Sequence, residues 1–400
     1  MTLPHFIGGN TVTLLHNGIE YFSALENAIN ITQQDIYLET YIFANDRVGI
    51  RIAAALKGAA QRGVAVHLLI DGFGSYQLPQ STIQDMLNAG VRVLIFRQEN
   101  LFSKLHKYRL RRMHRKLAVL DAHTAFVGGI NIIDDLDNPE KLSPRFDYAV
   151  LIKGPLLAEI YTAARYLWKQ VAWAHLKKNW ISQAKLHQYF KTDGKQQAAF
   201  LIRDNFRHRH DIEQAYLNAI NHAQHEIIIA SAYFLPGNKF CQALNNAAQR
   251  GVNIELLLQG RVEYRLQHYA THALYGNLLD AGIKIYEYTK SYLHAKVAVI
   301  DKHWATVGSS NIDPFSLFLA REANIIIDDH TFAQKLISSL RLAVIEESEP
   351  IARSDWEKES WIKHSIYWAS YYTLYYLQSL LGYGQHSNKH QSSGKLNERE

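Results

Sequence analysis

"MHRKLAVLDAHTAFVGGINI" occupies residues 113–132, and "LHAKVAVIDKHWATVGSSNI" occupies residues 293–312. Eleven of the twenty aligned positions are identical, among them His114/His294, Lys116/Lys296, Asp121/Asp301, Gly128/Gly308 and Asn131/Asn311. The match extends outward. "DIYLETYIF" at 35–43 parallels "EIIIASAYF" at 226–234, "AAQRGV" occurs at 59–64 and again at 247–252, and "LNAGVRVLIF" at 87–96 parallels "LDAGIKIYEY" at 279–288. The chain is a duplication. Each half reads strand, helix, strand, helix, strand and then the motif, with Gly63, Gly90, Gly251 and Gly282 closing helices. Helices alternating with buried strands place the protein in the α/β class, as two α/β sandwich domains packed about a pseudo-two-fold axis.

The expected divisions are a first domain over 1–175, a polar, lysine-rich linker over 176–200, and a second domain over 201–345. An aromatic amphipathic segment follows over 346–384, then a Gly/Ser/charged tail over 385–400 that reads as disordered. The 400 residues are 48% hydrophobic and 20% charged, with a formal charge of +6 and one cysteine, Cys241. Mild basicity suits anionic partners without choosing among them, and a single cysteine excludes an intramolecular disulfide and suits a reducing compartment. The start does not read as a signal peptide, and no run of eighteen strongly apolar residues occurs. A cytosolic protein is expected, with any membrane contact at the surface.

One His-x-Lys is weak evidence, because a lone histidine in a strand is more often structural. Two copies in matching contexts point to one composite site. Strand alternation puts His114 and Lys116 on one face, and His294 and Lys296 on the equivalent face. Asp121 and Asp301 have the opposite parity and are expected to brace the strand end. "VGGIN" and "VGSSN" offer small residues, backbone N–H groups and Asn131 or Asn311 to an anion. Two lysines and these donors would hold a phosphate with no metal or cofactor. One histidine could attack phosphorus while the other protonates the leaving oxygen. His123 and His303 are expected to be structural, and "FRHRH" at 206–210 reads as a basic helix entry rather than a metal tract.

The paired His-x-Lys-x(4)-Asp motifs, each followed by Gly-(Gly/Ser)-x-Asn, resemble the phospholipase D superfamily. "LETYIF", "RRMHRK", "YFLPG" and "ATVGSSNIDPFSL" are similar to bacterial cardiolipin synthases of the short type without N-terminal transmembrane helices, over roughly residues 8–345. The resemblance implies a ping-pong phosphatidyl transfer between two phosphatidylglycerols. His114 would be the nucleophile and His294 the acid/base, with Lys116, Lys296, Asn131 and Asn311 on the phosphoryl oxygens. It further implies crossed orienting acids, Glu322 for His114 and Asp147 for His294. Where related synthases show Asn and Leu before this glutamate, the chain has Ala320 and Arg321. The implied partners are phosphatidylglycerol, other phospholipids and the membrane surface on the cytoplasmic face of the bacterial inner membrane, with no nucleic acid expected. A phospholipase D hydrolase giving phosphatidic acid, a nuclease of the same superfamily and a non-catalytic membrane adaptor are the alternatives.

Three features could dock such a protein on lipid. The first is a basic run ahead of His114, with Lys104, Lys107, Arg109, Arg111, Arg112 and Arg115, which the second half lacks. The second is the aromatic helix over 165–175. The third is a C-terminal helix whose Trp361, Trp368, Tyr372, Tyr375 and Tyr376 recur at helical spacing, widened by Tyr367 and Tyr371. The alternative for that helix is packing on the core.

Overall fold

The computed structural model describes residues 4–97, 112–136, 142, 144–182, 191–204, 207–313 and 320–380. The first half runs β1 (Ile7–His16), α1 (Asn17–Ile31), β2 (Asp35–Thr40), α2 (Arg47–Gln61), β3 (Ala65–Asp71), α3 (Gln80–Asn88), β4 (Arg92–Phe96), β5 (Leu117–Leu120), β6 (Thr124–Gly128), β7 (Tyr148–Lys153) and α4 (Leu157–Ala174). The second half repeats this order as β8 (Gln196–Arg203), α5 (Asp211–His222), β9 (Glu226–Ser231), α6 (Asn238–Gln249), β10 (Asn253–Gln259), α7 (Arg265–Asp280), β11 (Lys284–Tyr288), β12 (Lys296–Ile300), β13 (Trp304–Gly308), β14 (Glu322–Asp328) and α8 (His330–Glu347). Then come β15 (Ser348–Ile351), α9 (Arg353–Glu357) and α10 (Trp361–Leu380). The duplication read from the sequence is thus a duplication of structure.

The strand order β15-β11-β10-β9-β12-β13-β14-β8-β1-β7-β6-β5-β2-β3-β4 repeats the same seven strands outward from its centre in each half, with β15 added at the outer edge of the second. β2, β3 and β4 are parallel, as are β9, β10 and β11, whereas the motif hairpins β5–β6 and β12–β13 are antiparallel. Each half is the mixed sheet that the alternating helices and strands require. The halves are joined edge to edge by antiparallel pairing of β1 with β8, a link that sequence pattern did not supply. β15 pairs antiparallel with β11, so the second sheet continues through residues 348–351, past the 345 at which the sequence reading ended that domain. β8 begins at Gln196, inside the stretch read as linker.

Apolar burial explains the layering. One cluster of buried side chains draws on both halves, with Val119, Val127 and Val150 from the first packed with Val297, Val307 and Ile325 from the second. The other face of each sheet is covered separately, by α1–α3 in the first half and α5–α7 in the second. At about 25 cal/mol per Å² of apolar surface, a core shared this widely commits the two halves to one arrangement. Gly63, Gly90, Gly251 and Gly282 follow α2, α3, α6 and α7 with φ of 90°, 95°, 88° and 79°, the left-handed conformation a non-glycine resists.

This packing bears on two of the expected docking features. Arg115 is buried, and its guanidinium donates to both oxygens of buried Glu39 at 2.7 and 2.6 Å, so it faces the core rather than an anionic surface. The aligned positions in the second half are Ala295 and Ala230, which need no such pair. Arg112 packs over the Phe73 ring at 4.0 Å, while Lys104, Lys107, Arg109 and Arg111 lie outside the described residues. In α4, Leu167, Trp168 and Val171 are buried in the shared core, leaving Tyr166 and Trp173 exposed. The tail over 385–400 also lies outside the described residues.

Candidate active site

Each motif histidine lies just ahead of its strand, because the backbone leading into the strand bonds to the other half of the molecule. The His114 N–H donates to the Arg321 carbonyl at 2.9 Å, and the His294 N–H donates to the Phe146 carbonyl at 2.8 Å. Isolated parallel bridges, Met113 with Arg321 and Phe146 with Leu293, fix the two crossings. A side chain at the end of the third strand of each half completes the anchor. Asp71 accepts from the Met113 N–H at 2.8 Å, and Gln259 accepts from the Leu293 N–H at 2.7 Å. The strand over "HRKLAVLD" is accordingly shorter than its apolar pattern suggests, since β5 starts at Leu117 and β12 at Lys296.

The same crossings carry the acids. Arg321 precedes Glu322, and Phe146 precedes Asp147, so each half delivers a carboxylate to the other half's histidine. His114 Nδ1 lies 2.9 and 3.1 Å from the two Glu322 oxygens, and His294 Nδ1 lies 2.6 Å from Asp147 Oδ2. A carboxylate on Nδ1 fixes the tautomer that carries its proton there and leaves Nε2 as the reactive nitrogen. Glu322 is fully buried, and Ser309 Oγ also donates to it at 2.5 Å. At the position matching Ser309 the first half has Gly129, where a Cβ would come within 2.3 Å of the Asp147 carboxylate. The shorter acid therefore sits against a glycine, and the longer one against a serine hydroxyl.

Burial decides the electrostatics. It holds His114 below the ordinary imidazole value against the pull of Glu322, with Lys116 adding to the lowering. It holds His294 well below that value, reinforced by Lys296, Lys116 and Arg145. Asp147 is pushed up to about 6 by burial, opposed by Lys296, and burial lowers Lys296 to about 8. Lys116 is also well below its usual range for the same reason. Near neutral pH these directions leave both imidazoles neutral in the free site, so His114 is in the form that attacks phosphorus, whereas His294 must take up a proton beside Asp147 before it can act as an acid.

The lysines stand behind the histidines. Lys116 Nζ donates to the His114 carbonyl at 2.9 Å, and Lys296 Nζ makes the equivalent bond to the His294 carbonyl. Both are almost fully buried. Asp121 and Asp301 are at the far ends of β5 and β12, away from the histidines. Each lies in a tight hairpin turn with positive φ, 49° and 51°, and each accepts three backbone N–H bonds, from residues 33–35 and from residues 224–226 respectively. His123 Nδ1 contacts the Asp121 carbonyl at 3.0 Å, and exposed His303 contacts Asp328 at 2.8 Å.

His114, His294, Asn131, Asn311 and Asp147 line one cleft of about 570 Å³ between the halves. The cleft has further walls that the motif did not reveal: Tyr41, Arg145, Tyr233 and Glu263. Arg145 and Glu263, from different halves, form an ion pair at 3.2 Å, and the Tyr233 hydroxyl donates to Glu263 at 2.9 Å. Tyr41 stands edge-on to His114 at 4.8 Å between ring centroids. Asp135, also in the wall, is pushed up to about 7 by burial. A usable signal existed for Arg145, two residues before the orienting Asp147. None existed for Glu263, which the repeat aligns with Ser75.

The comparisons match this geometry. The profile of the family described as "Cardiolipin synthase, PLD-like domain" matches residues 25–167 and 216–341, more than half the chain and both halves of the cleft. The chain belongs to that family. Cardiolipin synthase B of Salmonella typhi is 38% identical over 378 residues, covering 94% of this chain and 90% of the relative. Cardiolipin synthase B of Escherichia coli K12 is 36% identical over the same shares. Among solved structures, the phosphatidylserine synthase of Haemophilus influenzae Rd KW20 superposes with a TM-score of 0.69 over 95% of this chain and 97% of its own, at 12% identity. That likeness concerns the fold: the two-sandwich phospholipase D architecture expected from the repeat. Like its family, the chain is a phosphatidyltransferase.

Proposed function

We propose that the protein joins two phosphatidylglycerols into cardiolipin, and that the crossed histidine–carboxylate pairs are its catalytic centre. In the complex the phosphodiester anion and the Asp147 carboxylate favour a proton on His294 Nε2; His114 Nε2 attacks the phosphodiester of the first lipid while His294 gives that proton to the departing glycerol oxygen. The terminal hydroxyl of the second lipid then gives its proton to His294 and attacks phosphorus, forming cardiolipin and freeing His114. Two histidines are needed because one must stay bonded to phosphorus while the other handles the proton. Lys116 and Lys296 supply positive charge beneath the site, and Asn131 and Asn311 face the phosphoryl oxygens from the cleft wall. Asp121 and Asp301 brace the hairpins that carry the motif and take no part in bond making. The observation that carries this reading is the crossing itself: each half orients the other's histidine, so both motifs serve one phosphorus.

The substrates place the protein at a bilayer, as a peripheral protein of the cytoplasmic face. Among the described residues no helix is long and apolar enough to cross a membrane. α10 packs Tyr367, Ser370 and Leu374 against α7, where Tyr367 stacks on His272 at 5.1 Å. Its opposite face exposes Trp361, Trp368, Tyr372, Tyr375 and Tyr376. Leu374 also lines the cleft, so the helix runs from the lipid-facing aromatics to the site. Aromatic side chains of this kind favour the headgroup layer. Purified protein in mixed micelles of labelled phosphatidylglycerol should give cardiolipin and glycerol in equal amounts. Phosphatidic acid alone would make it a hydrolase, and cleavage of DNA with no lipid turnover would refute the lipid reading altogether.

A further inference from the structure

The repeat makes it possible to ask where the two ends of the cleft differ. "RFDYAV" at 145–150 aligns with "AREANI" at 320–325, so Arg145 corresponds to Ala320. Asp71 and Gln259 anchor equivalent backbones, so Glu263, four residues after Gln259, corresponds to Ser75, four after Asp71. Tyr233 corresponds to Ile42. On the His294 side the cleft wall therefore carries an arginine, a glutamate and a tyrosine. At the matching places on the His114 side are an alanine, a serine and an isoleucine. Catalysis by two equivalent histidines does not require this difference.

The polar cluster is built and partly unsatisfied. Arg145 Nη1 donates to one Glu263 oxygen at 3.2 Å, and the Tyr233 hydroxyl donates to the other at 2.9 Å. Each carboxylate oxygen keeps a second lone pair. Arg145 Nε is buried without a hydrogen-bond partner among the described residues. Buried N–H groups left unpaired are uncommon in native structures, and at a cleft wall they mark a place where a ligand can bond. Arg145, Glu263 and Tyr233 all line the cleft that contains His294.

We propose that Arg145, Glu263 and Tyr233 form the subsite for the glycerol end of the lipid headgroup, binding its 1,2-diol. The proposal rests on the phosphatidyl-transfer reading with His294 as acid/base, because the alcohol that leaves or enters must lie beside that histidine. The reacting hydroxyl faces His294. The neighbouring hydroxyl donates to Glu263 and accepts from Arg145, which a monohydric alcohol or water cannot do. One subsite serves both half-reactions. In the first, the phosphorus–oxygen bond to glycerol breaks as the phosphorus–nitrogen bond to His114 forms, and the glycerol oxygen takes the His294 proton. In the second, the same diol end of another phosphatidylglycerol occupies the cluster, returns a proton to His294 and displaces His114 from phosphorus.

The test measures acceptor choice in micelles of phosphatidylglycerol labelled in its diacylglycerol part, with free isotopically labelled glycerol and 1-propanol in competition. A site built to bond a hydroxyl discriminates against an analogue lacking it, because its own polar groups are then left unpaired. The wild-type protein should favour glycerol over 1-propanol by a factor of about ten or more, as expected for loss of one hydrogen bond to a charged group. Arg145→Ala and Glu263→Ser install the residues found at the matching places in the first half, where this fold accommodates them. Each should bring the glycerol-to-propanol ratio close to one while propanol transfer falls less than glycerol transfer. A parallel fall of both products at an unchanged ratio would assign the cluster a structural role and overturn the proposal, as would a wild-type ratio near one. A wild-type protein that makes phosphatidic acid but neither exchanges glycerol nor forms cardiolipin contradicts the transfer reading itself.

Discussion

Replacing Glu322 by glutamine perturbs one of the two crossed pairs with almost no change of shape. Glu322 is fully buried, and both its oxygens lie within 3.1 Å of His114 Nδ1. During attack on phosphorus the His114 ring becomes cationic, and the carboxylate is the nearest counter-charge. A hydrogen bond to a charged group contributes about 1.5–3 kcal/mol, which alone is roughly a 10- to 150-fold loss of rate. An amide can also present its NH₂ to Nδ1 and so favour the tautomer with the proton on Nε2. In hydrolase triads the equivalent change costs about 10⁴ in kcat. The expected loss in cardiolipin formation for Glu322→Gln is therefore between about 10² and 10⁴, with KM for phosphatidylglycerol little altered. The assay is initial-rate formation of cardiolipin from labelled phosphatidylglycerol in mixed micelles, with circular dichroism and thermal melting to show that the variant is folded. A folded Glu322→Gln protein within fivefold of wild-type kcat would refute the role given to this acid.

The other expected outcomes rest on separate features. Asp147 is charged only above about 6 and Lys296 only below about 8, so kcat/KM should rise as pH climbs through 6 and fall as it climbs past 8. Lys296→Arg should remove the alkaline limb while lowering the maximum, and a wild-type profile flat from pH 8 to 10 would exclude Lys296 as its source. Asp301→Ala removes the acceptor for three backbone N–H bonds. It should cost about 2–3 kcal/mol, lowering Tm by roughly 3 °C in a chain of this size, with lost activity tracking the unfolded fraction. A full loss of activity at unchanged Tm would instead place Asp301 in the chemistry. Changing Trp368, Tyr372 and Tyr376 together to serine should weaken binding to phosphatidylglycerol vesicles tenfold or more in a sedimentation assay, without lowering Tm. Unchanged vesicle binding would move the membrane contact elsewhere.

The duplication made most of the fold legible. Matching apolar runs, paired helix-closing glycines and the repeated motif give the element order of both halves, and the mixed sheet follows from that order. Sequence could not show how the halves join. The β1–β8 seam is a pairing between residues nearly two hundred apart, with no repeat to mark it. The strand lengths at the motif were overread for a related reason. The apolar interior of "HRKLAVLD" suggests a strand from His114 onward, but the backbone N–H groups of Met113 and His114 bond to Asp71 and to Arg321 of the other half, and β5 starts only at Leu117. Arg115 reads as part of a basic run because its partner Glu39 is distant in sequence. Likewise, α10 reads as one aromatic stripe, but packing divides it between Tyr367, which faces His272, and Trp368, which faces outward. The wall residues Glu263 and Tyr233 lie where the two copies diverged, so the repeat that exposed the histidines concealed them.

The central claim is a covalent bond between phosphorus and His114, resolved through His294. It is tested most directly with phosphatidyl-p-nitrophenol, whose leaving group departs without a proton. Mixed with this substrate, the His294→Ala protein should release one equivalent of p-nitrophenolate in a burst and then stop. Mass spectrometry of its peptides should find the phosphatidyl adduct on His114. Absence of a burst from the His294→Ala variant, or an adduct on His294 in the His114→Ala protein with none on His114 in the His294→Ala protein, would contradict the account.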